Sequence, residues 1–227
     1  MSGADFDELY RQFDCELIAR FDGRPRTGET AVVSLSGGAD STALLALLAK
    51  RREAIPFQLR AVHIDHQHRG AASDADRRLC ERLCERLQVP LDIRRIGDAP
   101  AAGRARLGDE AAWRNARLAI LHEIAQAANA SAPAGLWFGH HYDDQAETVL
   151  LRILRGGAVE SLAGMEPVVV WPDGIPHYRP LLNCRKQELT DALTAAGIVW
   201  ATDETNFDPD ANCRAALRRI AFPALAD

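Results

Sequence analysis

Two short runs hold the residues best able to do chemistry. One is Ser36-Gly37-Gly38-Ala39-Asp40-Ser41, and the other is Gly139-His140-His141-Tyr142-Asp143-Asp144-Gln145-Ala146-Glu147-Thr148. In the first, two glycines let the backbone close on an anion. Ser36, Ser41 and Thr42 add hydroxyl donors. Asp40 is out of place beside a phosphate unless a cation lies between them, so the run implies Mg2+ together with a phosphate. The loop carries no lysine, which excludes a Walker A loop. A glycine turn followed by a Ser/Asp helix cap is the plain alternative. In the second run, Asp143 and Glu147 are four residues apart and share one helix face. Acids in a first helical turn can simply favour the helix dipole. Two adjacent histidines point further, to a centre where carboxylates hold Mg2+ and histidine donors steady charge on a departing phosphate group.

Both runs fall where a strand turns into a helix. Apolar Ala31-Val32-Val33-Ser34-Leu35 predicts a strand, and residues 41–52 predict a buried helix behind the glycine loop. Such a junction gathers backbone N–H groups and the positive end of a helix dipole. The remaining pattern predicts a helix over 5–22, strands over 59–64, 90–93 and 136–138, and helices over 73–87, 109–128, 143–155 and 185–196. A polar loop spans about 97–107. Short extended pieces follow at Val168-Trp171 and Tyr178-Leu181, and a last helix at 212–221. This alternation specifies an α/β fold, a doubly wound and mostly parallel sheet with helices on both faces. Ligands in such sheets bind beyond the C-terminal strand ends. The glycine loop, His66 and the His140-His141 pair all lie there.

Composition narrows the class. The chain has 227 residues, 47% apolar and 26% charged, as expected of a globular domain. No apolar run reaches the length of a membrane span. The acidic start Met1-Ser2-Gly3-Ala4-Asp5 does not read as a signal peptide, so the cytoplasm is the expected compartment and no membrane partner is expected. The five cysteines include no CxxC pair, which argues against zinc ribbons and iron–sulfur sites. Cys80 and Cys84, four apart on a helix, read as small core residues. A net charge of -5 counts mildly against nucleic acid, yet arginines cluster locally. Glu110, Arg114 and Arg117 share one helix face, and Arg214, Arg218 and Arg219 gather late in the chain. Either set could grip RNA phosphates, or form a solvated helix surface.

Taken together, these motifs resemble a known family. The glycine loop is similar to the SGGxDS loop of the N-type ATP pyrophosphatases, enzymes that split ATP between its α- and β-phosphates. The GHHxDDQxET run, followed by Leu154-Arg155-Gly156-Gly157 and Leu162-Ala163-Gly164-Met165, resembles the tRNA(Ile)-lysidine synthetase family. His63-x-x-His66 with Arg69, Glu110-x-x-x-Arg114-x-x-Arg117, Arg179-Pro180-Leu181-Leu182, Asp203-Glu204-Thr205-Asn206-x-Asp208, Arg214-x-x-Leu217-Arg218 and Pro223-x-Leu225 carry the likeness from about residue 29 to 225.

The resemblance implies ligation of L-lysine to C2 of the wobble cytidine, position 34, of tRNA(Ile) with a CAU anticodon. ATP first adenylates the C2 oxygen and releases pyrophosphate; the lysine amine then displaces AMP. It implies that Ser36, Gly37, Gly38, Ala39, Asp40 and Ser41 hold the phosphates, and that backbone groups near Val62 and Ile64 take the adenine. Asp40, Asp144 and Glu147 become candidates around Mg2+, and His140 and Asp143 lie near the reacting base. Glu110, Arg114, Arg117, Arg214 and Arg218 become candidates for RNA contact.

The family continues past its catalytic domain into C-terminal domains that hold the tRNA. The expected organisation is therefore a lead-in over 1–28 and a catalytic domain over 29–227, with those C-terminal domains absent. Arg214-Ala215 stands where the family usually shows Arg-Asn, and Gln67-His68 where it usually shows Gly after the loop histidine. A tRNA thiolase on the same domain, or a nucleotide- or RNA-binding module without catalysis, are the competing readings. A monomer and a homodimer both remain open.

Overall fold

The computed structural model describes residues 4–65, 71–99, 110–156, 162–202 and Leu217. Six strands form one sheet: β1 (Thr30–Ser34), β2 (Gln58–Asp65), β3 (Leu91–Arg95), β4 (Ala134–Trp137), β5 (Val168–Val170) and β6 (Pro176–Tyr178). Their order is β3-β2-β1-β4-β6-β5. All neighbours pair in parallel except β5, which runs antiparallel to β6 at the edge. The doubly wound, mostly parallel α/β sheet expected from the sequence is the fold found.

Six helices accompany it: α1 (Ala4–Arg20), α2 (Ala39–Arg52), α3 (Ala71–Leu87), α4 (Glu110–Asn129), α5 (Tyr142–Leu154) and α6 (Lys186–Ala195). Strand residues alternate between the two faces. Ala31 and Val33 join a core with α1, α2, α6 and the inner face of α3, whereas Val32 joins Val62, Leu136 and Phe138 against α4. Helix α2 is buried almost all round, because it lies between the sheet and the pair α1 and α6. Leu44, Leu45, Leu47 and Leu48 are wholly buried there, each contributing about 1.5–3 kcal/mol. Near its end, Arg51 is 2% exposed. It pairs with Asp14 of α1 and donates to the Gly23 carbonyl at 2.8 Å, so the buried charge is compensated.

Helix α1 adds Leu9, Phe13 and Leu17 to the same core, followed by Phe21. Cys80 and Cys84 sit in that core as small apolar residues, in keeping with the sequence reading. The late helix expected over 212–221 falls outside the described residues except at Leu217, which is buried. Among the described residues no helix is long and apolar enough to cross a membrane.

The sheet order places the topological switch between β1 and β4. From β1 the chain winds outward to β2 and β3, and it returns through β4 to β6. The segments leaving β1 and β4 therefore part company over a shared crevice, where a parallel sheet binds its ligands. The glycine loop follows β1 and the two histidines follow β4.

Candidate active site

The glycine loop is held by its own hydroxyls. Ser36 N–H donates to Ser41 Oγ at 3.1 Å, and the two serine Oγ atoms are 3.0 Å apart. Gly38 N–H donates to Ser36 Oγ at 3.2 Å, while Ser41 Oγ donates back to the Gly38 carbonyl at 3.2 Å. Gly37 adopts φ +90, which a side chain rarely tolerates. Gly38 is the N-cap of α2 and brings no side chain to it. The first N–H groups of this buried helix thus open onto the crevice, with the dipole's positive end behind them.

Gly139 lets the second segment come close. A Cβ there would lie 2.7 Å from the Asp40 carbonyl oxygen and 2.9 Å from Ser41 N, so only glycine allows the chain after β4 to pass the start of α2. Beyond it, His141 caps α5 in an extended conformation, and its N–H donates to Asp144 Oδ2 at 3.1 Å.

His141 is 1% exposed and stands among three carboxylates. Its Nε2 lies 3.6 Å from Asp40 Oδ1 and 3.5 Å from Asp144 Oδ2, and its Nδ1 lies 3.3 Å from Asp143 Oδ2. Burial disfavours the imidazolium, but Asp40 and Asp144 outweigh it and raise the ring's pKa. The same balance acts on Asp40. Burial pushes its carboxyl up, while His141 and Lys186 more than offset this and hold it below the usual range.

The N-termini of α5 and α6 lock together. Tyr142 N–H donates to the Cys184 carbonyl at 2.8 Å, and Lys186 N–H donates to Asp143 Oδ2 at 2.9 Å. Lys186 Nζ then reaches within 3.4 Å of Asp40 Oδ2.

The expected site residues distribute as follows. Ser36 to Ser41, Asp143 and Asp144 converge on the crevice. Glu147 is fully buried one turn into α5. Half-buried His140 lies against Phe138, with ring centroids 5.8 Å apart. Val62 and Ile64 are buried in β2, where the Val62 carbonyl accepts Leu35 N–H at 2.9 Å. Arg114 is exposed on α4 and Arg117 half-buried beside it. Burial and the nearby Arg114 both lower the pKa of Arg117. The Glu110 side chain, His66, Arg69, Arg214 and Arg218 lie outside the described residues.

Both histidines stood out in the sequence as a pair, and His141 is the one that the fold sets among the acids. Lys186 carried no local signal, because its meeting with Asp40 spans 146 residues.

The donors present suit magnesium. Asp40 Oδ1 is buried and has no hydrogen-bond partner among the described residues. Asp144 offers a second carboxylate across the His141 ring. Among the described residues no three His, Cys, Asp or Glu side chains form a ready-made metal cage, so Asp40, Asp144 and Glu147 are not preassembled as one. Mg2+ needs no such cage, since it commonly takes one or two carboxylates and completes its shell with phosphate and water oxygens. An anion loop, two carboxylates, a lysine and an imidazole in one crevice suit a polyphosphate that brings its own metal.

Comparison with known proteins agrees with this chemistry. A curated tRNA(Ile)-lysidine synthase of Geobacter sulfurreducens is 38% identical over 186 residues, covering 82% of this chain and 38% of that protein. The tRNA(Ile)-lysidine synthase of Xanthomonas axonopodis pv. citri is 40% identical over 219 residues, covering 93% and 46%. The chain spans between 38% and 63% of the length of such relatives. Among solved structures, the U34-tRNA thiolase NcsA from Methanococcus maripaludis superposes with a TM-score of 0.69 at 18% identity, over 98% of this chain and 80% of that one. The NH3-dependent NAD synthetase from Campylobacter jejuni superposes with a TM-score of 0.53 at 14% identity, over 100% and 91%. At such identities these two speak to the fold alone. The PP-loop domain model matches residues 9–225, nearly the whole length, and this chain therefore belongs to the PP-loop domain family.

Proposed function

We propose that this chain is the ATP pyrophosphatase domain of a tRNA(Ile)-lysidine synthetase, acting in the cytoplasm. In this reading it uses ATP and Mg2+ to join L-lysine to C2 of the wobble cytidine of tRNA(Ile) with a CAU anticodon. The carrying observation is the buried His141 set between Asp40 and Asp144 at the mouth of the β1/β4 crevice. The names and 38–40% identity of the relatives support the substrate.

The loop Ser36–Ser41 and the α2 N-terminus take the phosphates, and β2 near Val62 and Ile64 lines the adenine. The cytidine C2 oxygen attacks the α-phosphorus and pyrophosphate leaves; the lysine ε-amine then attacks C2 and AMP leaves. Asp40 and Asp144 would hold Mg2+, which when bound would neutralise charge on the phosphates. His141, whose pKa its acidic neighbours raise, would stand as a donor beside the departing pyrophosphate. The chain supplies no covalent nucleophile; its work is positioning and charge. Arg114 and Arg117 on α4 contact tRNA phosphates.

The thiolase reading fares worse. The similar thiolase structure carries a [4Fe-4S] cluster. Here Cys80 and Cys84 are buried, and burial pushes their thiols up to about 12 and about 11. Thiols so poorly ionised are weak ligands and nucleophiles.

The deciding experiment incubates unmodified tRNA(Ile) of CAU anticodon with this chain, ATP, Mg2+ and lysine, and reads the digested nucleosides by mass spectrometry. Lysidine is the expected product. Pyrophosphate release that depends on tRNA, without lysidine, would place adenylation here and lysine transfer elsewhere. Neither product would sink the reading and favour a binding module.

A further inference from the structure

Lys186 opens α6 from a fixed point. Its own N–H is bound to Asp143, and the chain two residues earlier is bound to Tyr142. From there the side chain extends into the crevice, about half exposed, with Nζ 3.4 Å from Asp40 Oδ2. Lysine is scarce in this protein: of 27 Lys and Arg residues only Lys50 and Lys186 are lysine. Lys50 lies near the far end of α2, bound to Asp7 and set over the rings of Phe6 and Tyr10. A chain so biased to arginine thus presents one of its two ammonium groups to the acid of its phosphate loop, and that loop contains no lysine of its own.

We propose that Lys186 supplies from α6 the cation for the nucleotide polyphosphate that the glycine loop lacks, exchanging its contact with Asp40 for a phosphate oxygen when ATP–Mg2+ binds. This rests on reading the crevice as an ATP site. Three features carry it. A partly exposed pair at 3.4 Å is weak, so little holds the ammonium in place. An ammonium is a compact point charge with three donors, able to touch a carboxylate and a phosphate together. A guanidinium in the same place would close on Asp40 as a two-pronged pair and compete with the metal. Fixed by the α5–α6 lock, the lysine stem begins on the same side of the crevice as Asp143 and Asp144 and faces the loop across it.

The test uses an acyl-phosphate derivative of ATP, whose mixed anhydride lies at the terminal phosphate. The neutral Lys186 Nζ attacks the carbonyl carbon, an amide C–N bond forms, the C–O bond to phosphate breaks, and ATP departs as a proton is lost. Peptide mass spectrometry of the wild-type chain should find the label on Lys186, suppressed about tenfold by excess ATP–Mg2+, with labelling of Lys50 unaffected by ATP. Calorimetric titration with ATP–Mg2+ should show binding weakened about tenfold in Lys186→Met, not recovered in Lys186→Arg, whose guanidinium stays paired with Asp40, and unchanged in Lys50→Met. Wild-type protein that fails to bind ATP would overturn the ATP-site reading itself. Wild-type protein that binds ATP, with Lys186→Met within twofold of its affinity or Lys186 no better protected than Lys50, would overturn the role of Lys186 and leave the ATP site standing.

Discussion

Two histidine–carboxylate groups occupy this sheet, one at the β1/β4 crevice and one under the β5–β6 edge, and they are built in opposite ways. At the edge, His122 Nδ1 meets Asp173 Oδ2 at 2.5 Å and His122 Nε2 meets His177 Nε2 at 2.8 Å. Gln126 and the Ile175 N–H donate to the same aspartate at 3.0 and 3.1 Å. Trp171 stacks on His177 with ring centroids 5.0 Å apart. At the crevice, His141 stands 3.3–3.6 Å from three carboxylates, and neither ring nitrogen has a hydrogen-bond partner among the described residues. Burial disfavours charge on both rings. At the edge it prevails, helped by His122 and Arg179, and pushes His177 down to about 3. At the crevice the acids prevail and His141 is raised. A polar group that the fold needs for itself is closed off by short bonds. One kept for a ligand is surrounded but left open, at a cost the rest of the fold must carry.

This contrast is most sharply tested at Asp40. Asp40→Asn should cut tRNA-dependent pyrophosphate release by about 10^3 and also lower the thermal midpoint, because a carboxylate whose pKa His141 and Lys186 hold down stabilises the fold at neutral pH. Near wild-type release would show that the open cluster is not the reaction centre. His141→Gln comes next, with a loss of about 10^2 in the same assay, since the imidazole donor is lost and the loop remains.

At the edge the order reverses: His177→Phe should keep turnover near wild type at pH 8 and instead change how stability depends on pH. The sign follows from the lowered pKa of His177. Below about 6.5 the unfolded chain takes up a proton that the folded ring refuses until about 3. Stability from this group is therefore complete above pH 6.5 and lost as pH falls toward 3. By pH 4.5 the wild type should have lost about 2–3 kcal/mol that His177→Phe retains, as urea unfolding at pH 7.5 and 4.5 would measure. Equal losses in both proteins, or a large fall in turnover, would erase the distinction between the two clusters.

What the sequence disclosed divides along similar lines. The strand and helix pattern through α5 was legible because each element carries its own periodicity, and the order of elements dictates a wound parallel sheet. Boundaries moved where local chemistry is ambiguous. Helix α2 begins at Ala39 rather than 41, which places Asp40 in its first turn. Strand β4 begins at Ala134, two residues ahead of Leu136, because small Ala134 and Gly135 give little strand signal beside their neighbours. The glycine loop and the acids of α5 were legible because their spacing is local. The antiparallel pairing of β5 with β6 was not, since each has only three residues. Nor was the arrival of Lys186 at Asp40, nor the bonding of His122 to His177 across 55 residues, because nothing in the flanking residues of either partner encodes the meeting.

After α6 the chain returns to the glycine loop. Ala201 bridges Gly38 in parallel, and its N–H donates to the Gly37 carbonyl at 2.8 Å. The same Gly37 oxygen also accepts from the Thr42 hydroxyl at 3.4 Å, so it is tied both to the helix that the loop opens and to the segment after α6. The phosphate loop is thus a joint product of two stretches of chain more than 150 residues apart, and a substitution at Ala201 would be felt in the cradle.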